Sequence, residues 1–130
     1  MKIYLKNEIN LGDETEIIEQ VFPLQLTAKQ DSIYLTFTNE EGENVLIKAQ
    51  PTSLMMTRFS NPKTVMRFTA AGDAEVQLPS PLGIQRLLSR TSTYELDREN
   101  QTICLAYALL VPQTEAVLAD YRLKIAWTED

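Results

Sequence analysis

The chain of 130 residues carries 18 acidic and 12 basic side chains for a net charge of −6, with the basic residues scattered singly; this excludes the clustered Lys and Arg needed to hold nucleic acid or an anionic membrane surface. It contains no histidine and one cysteine, so His-based triads, His-ligated metals, the usual neutral-pH proton shuttle and an intrachain disulfide are all excluded. A hydrophobic content of 44% over this length suits one domain spanning residues 1–130 around one core.

No apolar run approaches the roughly 18 residues that span a bilayer. The opening segment alternates Lys2, Tyr4 and Lys6 with Ile3 and Leu5 instead of forming a signal-peptide block, which predicts a cytoplasmic protein. The same alternation continues along the chain. Ile3, Leu5, Ile9 and Leu11 share one face of a first strand, and Gly12-Asp13 supplies a turn. From residue 15 to 28 the even positions Ile18, Phe22, Leu24 and Leu26 recur, but Pro23 cannot donate to a ladder, so the stretch predicts an edge strand or two strands joined by a bend.

Ile33, Leu35 and Phe37 form one face of the next strand, and Glu40-Glu41-Gly42-Glu43 closes a hairpin into Val45, Ile47 and Ala49. Residues 53–60 place Leu54, Met56 and Arg58 on one side against Met55, Thr57 and Phe59 on the other, and either face suits burial. Met66 and Phe68 follow a turn at Asn61-Pro62-Lys63. Val76 and Leu78 follow Ala71-Gly72-Asp73, and Ser80-Pro81-Leu82-Gly83 is a loop. Ile84 and Leu88, and then Tyr94 and Leu96, mark a further pair of strands. Asp97-Arg98-Glu99-Asn100 turns into Ile103, Leu105, Tyr107 and Leu109, whose other face is small: Thr102, Cys104, Ala106 and Ala108. Such a strand, apolar on both faces, predicts a cover on each side or a partner. The last strand sets Val117, Ala119, Tyr121, Leu123, Ile125 and Trp127 against Asp120, Arg122 and Lys124.

Short connections make each strand pair with its sequence neighbour, and closure removes exposed edges; the expectation is an all-β closed antiparallel meander barrel of about 8–10 strands, with a β-sandwich as the alternative. The order of the Ile33–Phe37 hairpin, the strand from Leu54 to Arg58, Met66-Arg67-Phe68, the Ser80–Gly83 loop and the Ile103–Tyr107 strand resembles the bacterial YwiB-like family, domain of unknown function 1934. That resemblance covers almost the whole chain. It implies a calycin or lipocalin-like barrel and no established activity.

Arg58 shares parity with Leu54 and Met56, and Arg86 with Ile84 and Leu88; where those faces point inward, two guanidiniums enter the barrel and call for a carboxylate-bearing ligand. Exterior faces, an internal Glu partner or snorkelling are the structural alternatives. Tyr107 and Tyr121, with Tyr34 and Trp127, are amphipathic enough to line such a cavity or to complete the core. Glu95, Asp97 and Glu99 read as a solvated edge and not a metal site, and Cys104 as a buried structural thiol. The sequence thus predicts a binding protein and not an enzyme, without cofactor or metal, taking a small apolar or carboxylate-bearing molecule in the barrel. The alternative is a filled barrel acting as an interaction or homodimerising module.

Overall fold

The alternation is realised as eleven antiparallel strands in a computed structural model that describes residues 1–129: β1 (Lys2–Asn10), β2 (Thr15–Pro23), β3 (Gln25–Lys29), β4 (Ser32–Thr38), β5 (Asn44–Gln50), β6 (Ser53–Arg58), β7 (Thr64–Thr69), β8 (Asp73–Ser80), β9 (Gly83–Asp97), β10 (Thr102–Leu110) and β11 (Val117–Thr128). The hydrogen-bonded order is β2-β1-β11-β10-β9-β8-β7-β6-β5-β4-β3, a meander whose only long-range pairing joins β1 to β11. That pairing makes a nearly closed barrel. The ladder stays open at one seam, between β2 and β3, where the chain bends at Leu24, whose N–H donates to the Met1 carbonyl at 2.9 Å. Residues 15–28 therefore form two strands, both of them edges, with Pro23 at the bend.

Side chains directly opposite across a ladder share a face, so the register assigns inside and outside for every strand. Ile33 sits opposite Ala49, Ala49 opposite Leu54 and Leu54 opposite Phe68, all of them buried. Leu54, Met56 and Arg58 consequently face inward, which the sequence left open. On the far wall Ile3 opposes Trp127, and Ile103 opposes Ile125, again buried throughout.

The segment from 83 to 97 departs from expectation. It is one strand of 15 residues, not two, and its register against β10 jumps from Ala106↔Thr93 to Tyr107↔Thr91, leaving Ser92 as a bulge. Inward parity therefore switches. Leu87, Ser89 and Thr91 face the core before the bulge, Tyr94 and Leu96 after it, and Ile84 and Arg86 fall on the outer face with Ile84 54% exposed.

β7 and β8 pair at only two positions, Val65↔Gln77 and Met66↔Val76. Beyond them the fully buried Ser89 of β9 bridges the gap, its hydroxyl donating to the Arg67 carbonyl at 2.7 Å. Deleting that buried hydroxyl leaves the Arg67 carbonyl short of a partner. Ser89→Ala should lower unfolding stability by about 1–3 kcal/mol, read from the urea midpoint at unchanged slope.

Candidate functional site

The two ends of the barrel are packed differently. At the end holding the β3–β4, β5–β6 and β9–β10 turns, Ile3, Leu35, Ile47, Leu54, Ile103 and Ile125 are at most 2% exposed and fill the interior. At the other end, near the β1–β2, β4–β5 and β6–β7 turns, inward residues stay partly accessible. At this mouth Asn7 and Ile9 of β1, Ile18 of β2, Tyr121 of β11 and Met56 and Arg58 of β6 are inward residues left half-buried or exposed, beside the buried Phe37, Val45, Leu109 and Ala119.

Arg58 reaches the mouth with its side chain 42% exposed. Its Nη2 donates to Thr64 Oγ1 at 3.3 Å, and its Nε lies 3.6 Å from Glu43 Oε1, too far for a hydrogen bond. That Nε is buried without an acceptor, and Asn7 Oδ1 and Thr91 Oγ1 are likewise buried and unpartnered. All three belong to the inward face. Glu43 has a second attachment, accepting from Asn39 Nδ2 at 3.1 Å.

Tyr107 and Tyr121 are direct cross-strand partners and stack with ring centroids 4.8 Å apart and planes 8° from parallel; Phe68 lies against Tyr107 at 4.5 Å. Burial pushes both phenols above their ordinary range. Tyr94, three residues before the end of β9, donates its hydroxyl to the Gln50 carbonyl at 2.7 Å and is pushed up to about 12 by burial.

Of the four sequence-derived site residues, Tyr107 and Tyr121 meet inside the barrel and Arg58 faces its mouth. Arg86 does not join them. It lies opposite Gln77 on the outer face and is exposed, because the Ser92 bulge places the parity of Ile84, Arg86 and Leu88 outside. Tyr34 is also outward, with the Lys48 ammonium 5.8 Å from its ring centroid. Trp127 is core. The carboxylate of Asp97 accepts from the backbone N–H and Nδ2 of Asn100, and no group of three metal-binding side chains occurs among the described residues.

A second feature lies outside the barrel wall. A concavity of about 1030 Å³ spans β1, β11, β10 and β9, floored by Cys104, Ala106 and Ala108 and walled by Lys6, Arg122 and Lys124. Cys104 is thus an outer-face thiol, half-buried, and not a core residue. Lys6 and Lys124 stand directly opposite each other, and neither they nor Arg122 form an ion pair among the described residues. Arg90 at the rim is already engaged, bidentate to Asp73 at 2.9 Å and hydrogen-bonded to Glu115, and it holds the Asp73 carboxyl below the usual range. The small-residue parity of β10 was the sequence signal for this face. The facing lysines were invisible because they come from opposite ends of the chain.

The sequence pattern of DUF1934, described as a domain of unknown function, matches residues 3–125. Among solved structures, the ywiB protein from Bacillus subtilis superposes with a TM-score of 0.76 at 20% identity, over 98% of this chain and 91% of that one. No curated protein matches the chain.

Two outcomes follow from the burial pattern. Because burial favours the neutral phenol, stability should be undiminished below the unfolded tyrosine value near 10 and fall as pH rises from there to the folded value of about 12 for Tyr94, while absorbance at the tyrosinate band lags behind that of the unfolded chain. Cys104 should react with a thiol reagent in the folded protein, and Ala106→Trp, which crowds the same floor, should slow it.

Proposed function

Since the chain belongs to the DUF1934 family, whose description assigns no activity, its role rests on the geometry of its own site, and we propose that it is a binding protein, not an enzyme, taking a small carboxylate-bearing apolar molecule at the open mouth. The observation that carries this is the Arg58 Nε–H, buried, inward-facing and without an acceptor. An unpaired buried guanidinium N–H is costly, and a carboxylate is its best partner in charge and fork geometry. Glu43 neutralises the charge without satisfying the donor, and its contact with Asn39 lets it yield its place. Met56, Met66, Ile9 and Tyr121 offer adaptable apolar contacts to the rest of such a ligand, in the manner of calycin barrels.

A fluorescent fatty acid should bind, and Arg58→Met should weaken it by about 1.5–3 kcal/mol, the range for losing a hydrogen bond to a charged group. Equal affinity of the two folded proteins would overturn the mouth reading.

The outer concavity favours a second reading, that of an interaction module using the β10 face. In that case sedimentation at micromolar concentration should give a dimer that Ala106→Trp dissociates, and a strict monomer removes homodimerisation.

A further inference from the structure

The open seam leaves one long strand edge without a hydrogen-bonded neighbour. β2 pairs with β1 alone, and the hydrogen bonds Leu11 N–H to Glu14 O and Leu24 N–H to Met1 O, both 2.9 Å, fix the phase of that ladder. In an antiparallel pair, hydrogen-bonded and non-hydrogen-bonded positions alternate. Ile18, Gln20 and Phe22 therefore exchange hydrogen bonds with β1, whereas the N–H and C=O groups of Thr15, Ile17, Glu19 and Val21 point away from it, along the free edge. No hydrogen bond to these backbone groups occurs among the described residues. β4 and its following turn lie against the Gln20–Phe22 part of the same edge without backbone pairing: Phe22 stacks on Phe37 at 5.2 Å, and Gln20 Nε2 donates to Glu40 Oε1 at 2.8 Å.

The edge is apolar and flanked by acid. Ile17, Ile18 and Val21 are 54%, 37% and 53% exposed. Glu14, Glu16 and Glu19 border them, and the Gln20–Glu40 bond brings the β4–β5 turn with Glu40, Glu41 and Glu43 alongside. Two cations face this group, Lys6 opposite Glu19 and Arg58 beside Glu43. A strand of nine residues with no internal proline or lysine is a template for strand addition, and these carboxylates choose the partner. A second β2 would bring the same glutamates against themselves.

We propose that β2 is a docking edge for an extended basic segment of another protein, which adds as a further strand through the backbone of Thr15, Ile17, Glu19 and Val21 while its Lys or Arg side chains meet the surrounding glutamates. This stands apart from the ligand reading of the mouth, since it needs neither Arg58 nor the interior.

The probe is a labelled nine-residue peptide alternating lysine and valine, tested on the full chain by anisotropy and amide hydrogen exchange. It should bind, and exchange of the Ile17, Glu19 and Val21 amides should slow about tenfold or more. N-methylation of alternate peptide residues keeps charge and side chains but removes edge hydrogen bonds, and should weaken binding about tenfold or more. A peptide with glutamate for lysine should not bind. Ile17→Pro, which deletes an edge donor that β1 does not use, should also weaken binding; were that variant to misfold, the methylated peptide still decides, since it leaves the protein untouched. Equal binding of methylated and unmethylated peptides, or protection mapping to other strands, would overturn strand addition. Concentration-dependent protection of these amides without peptide would overturn the choice of partner in favour of a second copy.

Discussion

The pairing of β1 with β11 is the constraint on which the rest of the molecule depends. Its register runs unbroken from Lys2↔Thr128 to Asn10↔Asp120, joining the two ends of the chain and turning a meander of hairpins into a barrel. Every other ladder is local and could form in an open sheet; this one alone demands that the nine intervening strands curve back on themselves. It aligns Ile3 with Trp127 and Leu5 with Ile125, so one face of both strands enters the core and the other carries Lys6 and Lys124 outward. The interior and the outer concavity are two faces of one register.

Closure of this kind moves the weak point of the sheet. With β1 committed to β11 and β2, the unpaired edges fall to β2 and β3, which are consecutive in the chain and separated only by the bend at Pro23 and Leu24. Stacking of Phe22 on Phe37, the Gln20–Glu40 hydrogen bond and the buried Leu24 hold the seam together by side chains along its Gln20–Leu24 part. From Thr15 to Glu19 no such contact across the seam occurs among the described residues. An edge lined with carboxylates resists self-pairing without being closed to other strands.

Polar groups left inside the wall distinguish the mouth from the core. Ser89 is satisfied across the β7–β8 gap, whereas Arg58 Nε, Asn7 Oδ1 and Thr91 Oγ1 are not. The first is structural, because its hydroxyl replaces a missing ladder bond. The others take no part in the ladder.

Alternation by itself determined that the chain is all-β, where most strands begin and end, and that β10 carries small residues on its second face. The break at Pro23 was equally legible, because an imino nitrogen cannot join a ladder whatever surrounds it. Tertiary structure decided the faces. Leu54, Met56 and Arg58 became inward only through pairing with Ala49, Ile47 and Val45, since both parities of that strand are apolar enough to bury. Arg86 went outward because an extra residue at Ser92 shifts the parity of β9, and a bulge has no composition that marks it in a sequence of ordinary Ser and Thr. Cys104 went to the outer face, and Lys6 came to stand opposite Lys124, for a related reason: which residues become neighbours across strands distant in sequence is set by the register of closure, and no local pattern encodes it.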